Sequence, residues 1–346
     1  MRFGIIGRVA AGFALALATT TAPAQARGEN LEAAFDTTLG TQVRAPQDFS
    51  ARYDSPLARQ IAQLAEGSQG RIGVAAIDLV TGEEVAVLGD QRFPMASTSK
   101  IAIAAAYMEG VDQGRWSLTS EFPLMVPVPS KRFSSAVAPV RPGQYYSARA
   151  LIDMMITRSN NQATDALLAA VGGPAVVNDW ARRAGIHDFT LTRDIATLVR
   201  DDGEINPATS IDIRDSATPR AMVQLLSGLY QGKWLTASSR AVIIDAMERC
   251  RTGTRRIRGM MPDDVTVAHK TGTLNNTSSD IGVITGPDGH AIAVAIYVTG
   301  QGSHAGRDAR IATIARAVYD GYQNSARQYA NARYNAGGAG AAVAAN

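Results

Sequence analysis

Residues 71–78 are apolar at most positions. The run breaks at Thr81-Gly82 and resumes over 84–88, a spacing that predicts a β-hairpin. Residues 101–108 are apolar almost throughout and follow Phe93-Pro94-Met95-Ala96. There the proline sets a turn, and Ser97 or Thr98 stands near the start of a buried helix. Residues 148–157 and 162–171 carry apolar side chains at helical spacing, interrupted by Ser159-Asn160-Asn161. Gly172-Gly173-Pro174 marks a boundary, and 176–184 reads as a further helix. From Gly185 to Asp215 the pattern is irregular, with Gly203, Pro207 and scattered charges. A loop of that length inside a compact domain is usually functional or disordered.

Beyond it, 265–271 alternates, 281–284 follows, and Gly286-Pro287-Asp288-Gly289 predicts a tight turn. Residues 291–298 form a continuous apolar strand, and 309–322 form an amphipathic helix. Strands at both ends with helices between them predict an α/β fold of the α+β type. Its antiparallel sheet is built from both chain ends with flanking helices. An all-helical subdomain sits beside it, as an insert over about 101–260 within a domain spanning 51–323.

The chain ends read differently. Arg2 and Arg8 precede the apolar stretch 9–18 and Ala24-Gln25-Ala26, the layout of a cleaved signal peptide over 1–26. The apolar stretch is too short to span a bilayer, so the expectation is export without a stable membrane anchor, to the periplasm or the medium. Residues 27–50 are an extension, and the Ala/Gly/Asn-rich 324–346 reads as a disordered tail. Removing 1–26 takes away two arginines and no acid, so the formal charge falls from +3 to +1. That near-neutral balance offers no electrostatic footprint for nucleic acid. A monomer is the default. The basic run 249–258 reads as a solvated helix end or loop. Cys250 is the only cysteine, which excludes an internal disulfide and reads as a buried structural thiol. The four histidines are scattered without ligand spacing, so neither a metal nor another cofactor is expected.

Three short motifs carry chemistry. In Ser97-Thr98-Ser99-Lys100 the first and last residues share a helix face, where a lysine of lowered pKa can take the proton from a serine hydroxyl. Alone, such a motif is as readily a capping serine beside a surface lysine. Ser159-Asn160-Asn161 lies between two helices, where a hydroxyl can relay a proton and an amide can bind a substrate amide. Lys270-Thr271-Gly272-Thr273 lies on a late strand. Its lysine and a threonine hydroxyl suit a carboxylate, and its glycine admits close backbone approach. The backbone N–H groups of Ser97 and Thr273 are candidates for an oxyanion hole.

Together these segments resemble the class A β-lactamases, over about 71–322. Residues 93–100 are similar to that family's nucleophile segment, 214–219 to the end of its omega loop, and 267–273 to its late strand. The resemblance implies that Ser97 is acylated by a β-lactam, that Lys100 assists, and that Ser159 passes a proton to the leaving nitrogen. Asn161 and Lys270 would orient the substrate. Arg200 and Asp215 would form the salt bridge closing the omega loop. The family's deacylating glutamate stands four residues before an asparagine. Counting from Asn206 places that position on Asp202, with Glu204 two residues further on.

Three readings stay open: Asp202 is the base, Glu204 is the base, or there is none. Asn160 replaces an aspartate, which bears on loop packing, and the stretch 193–200 is several residues longer than the family's. Arg256 is either a family-like substrate arginine or one member of the solvated basic run. Alternatives to a serine β-lactamase conferring resistance are a penicillin-binding-type D-Ala-D-Ala peptidase and a non-turnover acyl-binding sensor.

Overall fold

The computed structural model describes residues 43–44 and 55–343. The expected signal segment, the extension apart from 43–44, and residues 344–346 lie outside the described residues. In chain order the elements are β1 (Val43–Arg44), α1 (Pro56–Leu64), β2 (Ile72–Asp78), β3 (Glu84–Val87) and β4 (Phe93–Pro94). A 3₁₀ turn, Ala96–Ser99, leads into α2 (Lys100–Asp112), followed by β5 (Glu121–Pro127) and β6 (Val140–Ser147). Then come α3 (Ala148–Thr157), α4 (Asn161–Val171), α5 (Pro174–Arg183), β7 (Phe189–Leu191) and α6 (Ile195–Arg200). They are followed by β8 (Ile211–Asp212), β9 (Asp215–Ala217), α7 (Pro219–Gln231) and α8 (Ala237–Glu248). The last elements are β10 (Thr266–Leu274), β11 (Thr277–Thr285), β12 (Ala291–Thr299) and α9 (His304–Val343).

The main sheet has the order β10-β11-β12-β2-β3 and is antiparallel throughout, so both chain ends build it. Strand alternation divides β12 between two cores. Ala291, Ala293, Ala295 and Tyr297 face the helical side, while Ile292, Val294, Ile296 and Val298 face α1 and α9. Small residues toward the helices let α7 approach β12. α2 is buried from Lys100 to Met108, apolar on all sides except its first residue, as expected of a central helix.

The helical region also holds strands that the apolar pattern does not reveal. β5 and β6 form an antiparallel ribbon, and β4-β9-β7 form a small sheet. Each strand is short or half exposed, which leaves little alternation to read. Local capping sets the helix starts. Ser147 accepts from Ala150 N, Asn160 Oδ1 from Ala163 N, and Asp194 from Thr197 N. The last helix corrects one expectation, because α9 runs on to Val343 through the stretch expected to be a disordered tail. Alanine is the strongest helix former, and the alanines there continue a helix already nucleated on the sheet.

Candidate active site

The nucleophile turn is held from both sides. Phe93 and Pro94 pair with Ala217 and Ser216, and Met95 N donates to the Asp215 carbonyl. Ala96 has φ +49°, a conformation that costs energy for a residue with a Cβ and turns the chain abruptly into the 3₁₀ segment. Thr98 Oγ1 donates to the Met95 carbonyl at 2.7 Å and meets the buried hydroxyl of Tyr297 on β12 at 3.1 Å. Ser97 is left half exposed, and its hydroxyl has no hydrogen-bond partner among the described residues.

Gly272 brings the late strand against this turn. A Cβ there would lie 2.7 Å from the Met95 carbonyl oxygen and 3.1 Å from the Ala96 Cβ. Only glycine lets β10 pack so closely, which brings the late strand against the turn that carries Ser97.

The Ser159 hydroxyl joins the other two motifs. Ser159 has φ +57°, which lifts its side chain out of the break between α3 and α4. Lys270 Nζ donates to Ser159 Oγ at 3.0 Å, and Lys100 Nζ lies 3.2 Å from the same atom. Lys100 also donates to the Ser159 carbonyl and to Asn161 Oδ1, both at 2.8 Å. Both lysines are fully buried. Burial first, then the Lys270 charge, holds Lys100 well below the usual lysine range, with Asp165 opposing. Burial also brings Lys270 down to about 8, opposed by Cys250 and Asp280. A neutral Lys100 amine can accept a proton, and a charged Lys270 can attract an anion.

The remaining predicted residues fall in three groups. Arg256 is not part of a solvated run, since it is buried and paired with Asp308 at 2.8 Å. It also donates to the Gly272 and Ser279 carbonyls and to Thr273 Oγ1. It therefore braces the end of β10. Thr271 Oγ1 is 2.6 Å from Thr252 Oγ1.

The loop carboxylates are engaged away from Ser97. Both oxygens of Asp202 accept from Asn275 N at 2.9 Å, and Glu204 pairs with Arg214 at 2.8 Å. Asn206 Oδ1 accepts from Asn276 Nδ2 at 3.0 Å, so the loop is tied to the β10–β11 turn.

The expected Arg200–Asp215 bridge is corrected. Asp215 pairs with Arg193 at 2.5 Å, while Arg200 pairs with its neighbour Asp201 at 2.7 Å. Arg193 follows β7, and β7 pairs with β9, so the sheet sets Arg193 opposite Asp215. Arg200 is carried one helix further on by α6.

The sequence motifs do not single out Asp165. It lies one helical turn after Asn161, and its oxygens accept from Ile195 N at 2.7 Å and Ala196 N at 2.9 Å. It thereby fixes the start of α6 to α4. Burial pushes its carboxyl up to about 7, against those two hydrogen bonds. Its i+4 spacing from Asn161 was the available signal.

Comparison with known proteins decides the family. The model of the β-lactamase enzyme family matches residues 56–322. The chain belongs to that family, in its class A branch. It is 27% identical to the extended-spectrum β-lactamase PER-1 of Pseudomonas aeruginosa, over 78% of this chain and 89% of that protein. It is 32% identical to β-lactamase CTX-M-4 of Salmonella typhimurium, over 69% of this chain and 79% of that one. Among solved structures, an ancestral class A β-lactamase superposes with a TM-score of 0.65 at 36% identity, covering 77% of this chain and 99% of its own. A β-lactamase from Chitinophaga pinensis gives 0.68 at 27% identity, covering 78% and 100%. No helix among the described residues is long and apolar enough to cross a membrane.

Proposed function

We propose that the protein is an exported serine β-lactamase that opens the β-lactam amide through an acyl-enzyme on Ser97 and so confers β-lactam resistance. The observation that carries this reading is the Ser159 hydroxyl held between two buried lysines beside the nucleophile turn. In the acylation step Lys100 takes the Ser97 proton, and Ser97 Oγ bonds to the lactam carbonyl carbon. The oxygen charge is met by the Ser97 and Thr273 N–H groups. The C–N bond then breaks, and its nitrogen receives a proton through Ser159. Asn161 would bind the substrate amide. Lys270, Thr271 and Thr273 would hold its carboxylate, with Arg256 positioning Thr273.

In deacylation water bonds to the acyl carbon as the base takes its proton, then the acyl carbon–Ser97 Oγ bond breaks and Oγ recovers a proton. Asp202 or Glu204 can serve as the base only after leaving Asn275 N or Arg214. Asn206 tethers the loop that carries both. Export rests on the 1–26 signal pattern, and N-terminal sequencing of secreted material beginning at Arg27 would support it. A monomer is the default, which size-exclusion chromatography tests.

The deciding experiment mixes the protein with a chromogenic cephalosporin and follows intact mass during hydrolysis. Sustained turnover that is lost in Ser97→Ala, with only a transient adduct, supports the reading. Asp202→Asn and Glu204→Gln then identify the base. A one-equivalent burst with a persistent adduct overturns it in favour of an acyl-binding protein or peptidase.

A further inference from the structure

Behind the late strand lies a polar cluster that the acyl-transfer chemistry does not use. Cys250, His269 and Asp280 are all nearly or fully buried. His269 Nδ1 lies 2.9 and 3.0 Å from the two Asp280 oxygens. Its other nitrogen, Nε2, is buried without a hydrogen-bond partner, and the neighbouring Cys250 thiol is the group that interacts with the ring besides Asp280. Burial pulls the imidazole toward its neutral form, but Asp280 and the Cys250 thiol together outweigh this and raise it to about 10. Burial likewise raises the thiol, while His269, the Thr252 hydroxyl and the Lys270 charge together outweigh it and bring Cys250 to about 7.

From this thiol a short chain of hydroxyls leads to the cleft. Cys250 Sγ is 3.4 Å from Thr252 Oγ1 and 3.8 Å from the Thr252 carbonyl, and Thr252 Oγ1 is 2.6 Å from Thr271 Oγ1. In each hydroxyl contact either atom can be the donor.

We propose that Cys250, Thr252 and Thr271 form a relay whose direction follows the charge on the thiol, so that Cys250 sets how Thr271 meets an anionic substrate. A neutral thiol donates to Thr252, either to its carbonyl or to its hydroxyl. Thr252 is then free to donate to Thr271, and the Thr271 proton points outward toward a substrate carboxylate. When the thiol has lost its proton to water, the thiolate only accepts. Thr252 donates to sulfur, Thr271 donates to Thr252, and Thr271 offers the carboxylate a lone pair instead of a proton.

The charged neighbours are Lys270 on β10, Asp280 on β11 and Arg256 before the late strands, with Asp308 of α9 on Arg256. The inference rests on the reading that Thr271 contacts the substrate carboxylate. Cys250 and Thr252 act through Thr271, as positioning residues.

Linkage makes the relay measurable, because a ligand that prefers the neutral thiol must raise its pKa. Cys250 is the only cysteine, so ¹³Cβ-cysteine labelling gives one NMR signal to titrate. In Ser97→Ala, benzylpenicillin should move the Cys250 midpoint up by about 0.7 pH unit. That corresponds to about fivefold weaker binding above the midpoint, the net worth of one hydrogen bond. Adding Thr252→Val should abolish the shift, and Thr252→Ser in its place should restore it.

An unchanged midpoint, or an equal shift in the Thr252→Val background, overturns the relay, since charge alone would then act through space. If benzylpenicillin neither binds Ser97→Ala nor acylates the wild type, the functional reading fails separately. The relay is then decided without ligand, where Thr252→Val must raise the Cys250 midpoint by removing a donor to the thiolate. No change there also overturns it.

Discussion

Gly272→Ala is the sharpest test of how the site is assembled. The new methyl would lie 2.5 Å from Ser279 Oγ, 2.7 Å from the Met95 carbonyl oxygen and 3.1 Å from the Ala96 Cβ. The serine hydroxyl can rotate away, but the Met95 carbonyl is backbone, tied to Thr98 Oγ1 and placed by the pairing of β4 with β9. Reaching an ordinary contact of about 3.4 Å requires β10 and the nucleophile turn to separate by about 0.7 Å. A displacement near 1 Å costs roughly a hundredfold in rate when it falls between reacting groups. Acylation, read by stopped-flow with a chromogenic cephalosporin, should therefore fall by between about tenfold and a hundredfold. The fold should lose about 1–3 kcal/mol from overpacking, read from the urea midpoint. Gly259→Ala meets nothing closer than 3.4 Å and should leave the acylation rate within about twofold. Near wild-type acylation in Gly272→Ala would refute the argument that this contact aligns Ser97 with Thr273.

Further outcomes follow from the charges. As the proposed base, Lys100 must be neutral to act, so kcat/KM should fall on acidification as it protonates. As the proposed partner of the substrate carboxylate, Lys270 must be an ammonium, so activity should also fall as pH rises through about 8, and Lys270→Arg should push that alkaline limb upward. The Arg193–Asp215 pair is nearly buried, so Arg193→Ala should cost about 3 kcal/mol in chemical denaturation. A double-mutant cycle should show strong coupling of Asp215 to Arg193 and none to Arg200; the reverse pattern would refute the corrected loop closure. Asp165 has its folded pKa raised to about 7 from 3.8, so the folded protein holds that proton more tightly than the unfolded chain. Stability from this group is present below about pH 4 and is lost as pH rises to about 7. The advantage of wild type over Asp165→Asn should therefore shrink by up to about 4 kcal/mol between pH 4 and 8, measured by urea titration at each pH.

Local patterning determined a good deal by itself. The apolar run at 291–298, the turn at 286–289 and the helical spacing of 148–171 are properties of neighbouring residues. They placed the late strands and the helix break that holds Ser159. The three motifs were legible for the same reason, since each is a contiguous stretch whose chemistry depends on residue type and local backbone. Tertiary structure decided which distant groups meet. Pairing of β7 with β9, not spacing, chose Arg193 over Arg200 as the partner of Asp215. The β10–β11 turn drew Asp202 onto Asn275 N, and Asp308 on the last helix buried one arginine of a basic run. The hydroxyl chain from Cys250 to Thr271 likewise exists only because the end of α8 packs behind β10. Hydrogen bonds and ion pairs act over about 3 Å, a distance at which separation along the sequence carries no information once the chain has folded.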